Sequence, residues 1–244
     1  MYSRGVPSRR QHGPAAVRMC VVCVLVAWAT AGCQGGGALR LASTPTGSRA
    51  VSSEPKREEA GSLSDRSRDD WANVGPIGGK LDPMGQITRV TVHHSGTTND
   101  LVTESEIIDY LRRVRTSQCR SKSDHGLGAG DLSYHFVIDR KGVTWEGRSL
   151  RYQGAHAGNS VANRGNVGIC LLGNFNVQYP NDAQVTALRE LLVKLRGRYG
   201  LSDRDIYTHR EIRAYYKLSG TECPGTHLQS TVETMRLGLR AGAK

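Results

Sequence analysis

The sequence is short of usable cysteine pairs. Its six cysteines do not form a disulfide framework. Cys20 and Cys23 lie in an N-terminal apolar run, and Cys33 follows closely. Cys119, Cys170 and Cys223 are an odd number, widely spaced. A domain that depends on disulfide staples is therefore excluded. A membrane-spanning apolar run is also missing. "MCVVCVLVAWATA", Met19–Ala31, falls short of the roughly 20 residues that a spanning helix needs. No arginine-rich block, recognition-helix motif or ladder of aromatics among basic residues occurs. The balance of 33 Lys and Arg against 22 Asp and Glu, net +11, thus does not point to nucleic acid. It suits an anionic membrane or a cell-wall polymer. No internal repeat exists, which excludes a solenoid. Beyond Cys33 there is no HExxH or CxxC spacing, so no metal site can be read from local spacing alone.

What is present begins with an export signal. Arg4, Arg9, Arg10 and Arg18 precede the apolar run, and small residues follow it. "TAGC" resembles the lipobox of bacterial lipoproteins, with Thr30 where leucine is usual. The resemblance implies cleavage before Cys33 and lipid on its thiol. The alternative is an ordinary signal peptide with an incidental cysteine. Residues 1–33 are thus expected as the signal, and the protein as exported and membrane-anchored through lipid on the periplasmic side of the envelope. Gln34 lacks the aspartate that retains enteric lipoproteins in the inner membrane, which points to the outer membrane. Residues 34–65 are rich in Gly, Ser, Arg and Glu without periodicity, the composition of a flexible tether. Residues 66–244 are expected as one domain, a monomer.

Within that domain, "QITRVTVHHSG" is β-branched and reads as a strand. In "TESEIIDYLRRVRTS", Thr103 and Glu106 make a capping box before Ile107, Leu111 and Val114 at helical spacing. "LSYHFVIDRKGVTWEGR" reads as a hairpin, and "NVGICLLGNF" as a buried strand in which Cys170 is a small hydrophobe. Asn181 and Gln184 suggest a second capping box. After it, Val185, Leu188, Leu192, Leu195 and Tyr199 form a stripe that Gly200 ends. "RDIYTHRE" reads as a short strand, and Leu228, Val232, Met235 and Leu239 mark a last amphipathic helix. The order β-α-β-β-β-α-β-α implies an α/β (α+β) fold, a central mixed sheet flanked by helices.

Four segments offer chemistry. His93 and His94 close one strand, and Tyr134 and His135 stand in another. His209 ends a third strand, and Cys223 sits in a turn. Adjacent strand residues point to opposite faces, so one member of each pair can face a site. His93 or His94, with His209 and Cys223, could give Zn²⁺ two nitrogens and a thiolate with a fourth position left for water. Taken singly, each histidine is more simply a hydrogen-bonded rim or core residue, and Tyr134 a core tyrosine.

The segments together resemble the zinc N-acetylmuramoyl-L-alanine amidases of the type-2 amidase and peptidoglycan recognition protein superfamily. The resemblance runs from Arg68 and Trp71 in "RDDW" through "RVTVHHSGT", "LSYHFVIDRKGVTWEGR", "GAHAGNSVANRGNVGICLLGNF" and "HREI" to "TECPG". It implies His93, His209 and Cys223 as zinc ligands and Tyr134 as the active-site tyrosine, with Thr221 in support. It also implies His156 and Asn163 in the loop lining the substrate groove; a backbone-fixing role for His156 is the alternative. The implied reaction is hydrolysis of the amide between N-acetylmuramic acid and L-alanine in peptidoglycan. Two departures stand out. The segment between His209 and Cys223 is longer than in typical relatives, around "AYYKLS". The central strand also lacks the glutamate used by cytosolic relatives acting on anhydro-muropeptides. The rival implication is a peptidoglycan-binding lipoprotein of the same fold without catalysis. Such relatives typically lose the cysteine ligand, and Cys223 is present. A muramidase would need a positioned carboxylate pair, and Glu104 and Glu146 do not obviously converge.

Overall fold

The computed structural model describes residues 62–98, 101–124 and 126–241. The expected signal, Cys33 and nearly all of the expected tether lie outside these residues. Among the described residues no helix is long and apolar enough to cross a membrane.

The β-branched run becomes β1 (Arg89–His94), which pairs in parallel with β4 (Asn166–Leu171) on one side and β5 (Ile206–Thr208) on the other. The hairpin gives β2 (Phe136–Ile138), parallel to β4, and β3 (Thr144–Glu146), antiparallel to β2. The sheet order is β3-β2-β4-β1-β5. This is the mixed sheet expected from the order of elements. β4 is buried along its whole length, which explains its apolar character from Val167 on.

Helices cover both faces. α1 (Glu104–Cys119) starts at Thr103, whose hydroxyl accepts from the Glu106 amide while the Glu106 carboxylate returns to the Thr103 amide. Its Ile107 and Leu111 pack with Trp71, Val137, Trp145 and Cys170. α3 (Asp182–Tyr199) and α5 (Thr226–Ala241) cover the other face. Leu188, Leu192, Leu195, Val232 and Met235 meet Val90, Val92 and Ile169 there. Gly200 ends α3 in the left-handed region at φ 66°.

Four expectations change. Asn181 does cap α3, accepting from the Gln184 amide at 2.9 Å, but Gln184 does not return the bond. Its side chain is fully buried and joins Arg140 (2.8 Å) to the Leu172 carbonyl (2.9 Å), because a buried amide must satisfy both ends. His209 is not the last residue of a strand: β5 stops at Thr208, and His209 is the first residue of α4 (His209–Tyr215). Thr208 and Glu211 form a capping box there, a Thr-x-x-Glu signal that the strand reading passed over. α4 and the one-turn α2 (Ser160–Asn163) are additions to the expected order. Finally, Leu63 is buried in the core and the Asp65 amide bonds the Thr144 carbonyl at 2.8 Å. Packing thus reaches back before residue 66, because an apolar side chain can join a core without any periodic pattern around it.

Candidate metal centre

The parallel strands bring their carboxyl ends to one rim, where open α/β sheets place ligands. His93 is next to last in β1, and His209 follows β5 directly. Cys223 lies in the turn between α4 and α5, with a cis peptide to Pro224. Ligand atoms of His93, His209 and Cys223 all lie within 4.8 Å of one another. Cys223 Sγ is 3.7 Å from His93 Nδ1 and accepts the His94 amide at 3.4 Å. The rings of His93 and His209 are 4.4 Å apart.

Satisfaction of hydrogen bonds divides these groups. Nδ1 and Nε2 of His209 are buried, and neither has a partner. Buried polar atoms are rarely left so, and two free nitrogens beside a thiol fit a metal ion. Burial holds His93 well below the ordinary histidine pKa, with His209 and His156 adding to the effect. Burial also pushes His209 down to about 4, helped by Arg213. The same cause pushes the Cys223 thiol up to about 12, against the His94 amide and Arg210. The unliganded groups are thus neutral, and a bound cation would reverse the thiol's preference.

His94 faces the other way, accepting the Phe175 amide on Nδ1 at 3.3 Å. Its contribution to the site is its backbone N–H, which no side-chain pattern announces.

Tyr134 stands beside His93, ring centroids 5.2 Å apart. Burial raises its pKa well above the usual value, with the nearby Cys170 and Cys223 thiols adding to the effect, so it remains a proton donor. Cys170 is the register partner of His93 on the neighbouring strand, so the two share a sheet face. Tyr134, Cys170, Tyr110 and Ser95 line a cavity of about 160 Å³ under α1. His135 uses both ring nitrogens in structure, taking the Gly168 amide (2.9 Å) and giving to the Tyr152 carbonyl (3.0 Å). Thr221 Oγ1 accepts the Cys223 amide at 3.2 Å, which shapes the ligand turn.

Of the two residues expected in a groove-lining loop, Asn163 borders a groove together with its loop neighbours, whereas the His156 side chain turns inside the protein. His156 is buried, with Nδ1 3.0 Å from His93 Nε2 and Nε2 3.2 Å from the Asn166 carbonyl. Asn163 borders a groove of about 410 Å³ that Lys80, Lys122 and Arg148 also line. Its Oδ1, however, is committed to the amides of His156 (3.0 Å) and Ala157 (2.9 Å). Arg148 is likewise committed, to the carbonyls of Asp131, Leu132 and Gln153.

Fold and donor set define an α/β protein with a candidate mononuclear metal centre at the carboxyl ends of parallel strands. A family model described as N-acetylmuramoyl-L-alanine amidase matches residues 83–226, and the chain belongs to that family. Among curated proteins it is similar to peptidoglycan-recognition protein SC2 of Drosophila simulans, 30% identical over 169 residues, covering 69% of this chain and 84% of that protein. Among solved structures, Drosophila peptidoglycan recognition protein SD matches with a TM-score of 0.57 and 28% identity, covering 68% of this chain and 91% of that one. The amidase LysC from Clostridium intestinale shares the fold, with a TM-score of 0.52 and 23% identity over 72% of this chain and 96% of that one.

Proposed function

We propose that this protein is a zinc-dependent amidase of peptidoglycan. It cleaves the amide between the lactyl group of N-acetylmuramic acid and the L-alanine of the stem peptide. The observation that carries this reading is the convergence of His93, His209 and Cys223, with both ring nitrogens of His209 buried and unpartnered. Two imidazoles and a thiolate are the donors of a catalytic zinc site, which keeps one position for water or substrate. Family membership supports the same reaction.

Bound zinc would polarise the scissile carbonyl and bring the pKa of a water molecule near neutrality. The chain's own residues supply the rest. Tyr134 keeps its proton and sits against His93, where its hydroxyl can donate to the oxyanion that forms as the carbonyl is attacked. Thr221 fixes the Cys223 turn, and its hydroxyl hydrogen is left to support the same oxyanion. Lys80 and Lys122, on the groove that Asn163 also lines, favour the carboxylates of a stem peptide.

A second reading, peptidoglycan binding without cleavage, is favoured by the names of the similar curated proteins, which are recognition proteins. One assay separates the two. Purified peptidoglycan incubated with the protein should release free stem peptides, and a chelator should stop the release. Binding without release, in protein carrying a full complement of zinc, would establish the second reading.

The motif "TAGC" supports a lipid on Cys33 as the anchor to the envelope. Cys33→Ala should then leave the membrane fraction or fail to mature. Normal processing with continued membrane attachment would overturn the anchor.

A further inference from the structure

His156 has no role in the reaction just described, yet the fold goes to some length to hold it. Its ring lies over β4 at Gly168, where a Cβ would stand 2.5 Å from Cδ2 and 2.7 Å from Nε2 of the imidazole. A Cβ at Gly154 would also collide with the ring. Two positions without side chains thus make the space that this ring fills. Asn163 holds the backbone at His156 and Ala157. Asn166, whose carbonyl meets the ring, is itself held by Thr91 (3.0 Å) and by the Ala162 carbonyl (2.8 Å).

We propose that His156 is a positioning residue that locks the tautomer of His93, so that the Nδ1 lone pair of His93 faces Cys223 and His209. The inference rests on the zinc reading for its consequence, but its geometry stands without a metal.

The protons can be placed by elimination. A backbone carbonyl only accepts, so His156 Nε2, 3.2 Å from the Asn166 carbonyl, carries hydrogen. His156 is buried, and the groups around its ring are the rings of His93, Tyr134 and His135, the Asn166 carbonyl, Gly154 and Gly168, with Arg148 and His209 the other charged or titratable groups acting on it. None is a carboxylate, and a buried cation without a counter-charge is costly. The ring is therefore neutral, and its Nδ1 is an acceptor. Across 3.0 Å the donor must then be His93 Nε2–H. With its proton on Nε2, neutral His93 has a bare Nδ1, the atom that lies 3.7 Å from Cys223 Sγ. Metal-bound histidines usually give their second N–H to a fixed acceptor, and loss of such an acceptor typically costs about 10- to 100-fold in metal affinity. Here the acceptor is a second histidine, itself oriented by a carbonyl.

The test has two arms. In the metal-free wild type, ¹⁵N NMR of the imidazoles should show His93 and His156 both protonated on Nε2; a His93 protonated on Nδ1 overturns the proposal. This arm needs neither zinc nor a variant. In the second arm, zinc affinity is measured by chelator competition. His156→Leu, which fills the space without an acceptor, should bind zinc about 10- to 100-fold more weakly. His156→Asn, whose Oδ1 comes near the place of Nδ1, should recover most of the loss. Equal affinity in wild type and His156→Leu overturns the proposal. Failure of the wild type to bind zinc sinks the zinc reading instead and leaves the tautomer to the first arm.

Discussion

Two pairs of histidines within one site behave oppositely. His135 and His156 have a hydrogen-bond partner for every ring nitrogen: the Gly168 amide and the Tyr152 carbonyl for His135, and the His93 ring and the Asn166 carbonyl for His156. His209 has none, and His93, bonded to His156 through Nε2, meets at Nδ1 only the thiol of its fellow candidate ligand Cys223. All four are desolvated and pushed toward the neutral form. Burial and pKa therefore do not distinguish ligand from scaffold. Hydrogen-bond satisfaction does, because a donor atom kept for a metal must not be spent on the protein.

The comparison is most severely tested at the ligands. Cys223→Ser should lose zinc and reduce stem-peptide release to that of chelated wild type. Retained zinc, measured by elemental analysis with activity intact, would break the assignment of the open pair. Next comes Tyr134→Phe, which removes one hydroxyl and little volume. Loss of one oxyanion donor typically lowers kcat by about 10²- to 10³-fold. Zinc content and peptidoglycan pull-down should hardly change, and an unaltered kcat would return Tyr134 to the scaffold.

On the satisfied side the effect should appear in stability. His135→Leu strands the Gly168 amide and the Tyr152 carbonyl, at a cost of about 3 kcal/mol by denaturant melt. The substitution should also flatten the acid limb of stability. Burial holds folded His135 near pKa 4, below the usual value of about 6.5. Between those values the unfolded chain takes up a proton that the folded chain refuses, so stability falls as pH drops from about 6.5 to about 4. Without His135 that part of the slope disappears; an unchanged slope would mean the imidazole titrates normally. Thr208→Ala removes the cap of α4 and should cost about 1 kcal/mol. The smallest effect sharpens the contrast most. His209→Leu in the metal-free protein gives up no hydrogen bond, so its stability should match or exceed that of the wild type. A loss as large as that of His135→Leu would show that the two pairs do not differ.

Much of the fold was legible because it follows local rules. Periodicity marked α1, α3 and α5, and β-branched or alternating runs marked β1 to β4. Thr103 with Glu106 and Gly200 announced helix ends correctly. Failures came where a tertiary partner overrode local pattern or where a local capping signal was passed over. Gln184 had a capping spacing, but a carbonyl and an arginine claimed its side chain. His209 looked like a strand end, although Thr208 and Glu211 begin a helix there. The candidate site was legible as a set of residue types, through its resemblance to a family, although His93 stands more than a hundred residues before His209 and Cys223. What sequence could not reveal was the work of His156. Its contact with His93 spans 63 positions and depends on an empty place at Gly168 on the strand between. A glycine in an apolar strand gives no hint of which ring will lie on it.

The spacing of the donors also bears on the chain as a polymer. His93 and Cys223 stand 130 positions apart. A cation gripping both would close a loop containing nearly all of the sheet, as a crosslink does. In the chain-entropy treatment, a tie across about 100 residues removes on the order of 5 kcal/mol of freedom from the unfolded ensemble. The turn that carries Cys223 leads directly into α5, the last helix against the sheet. The ion would then act as a clasp as well as a reagent, and stripping it should let the C-terminal helix exchange its amide hydrogens sooner than the strands beneath it.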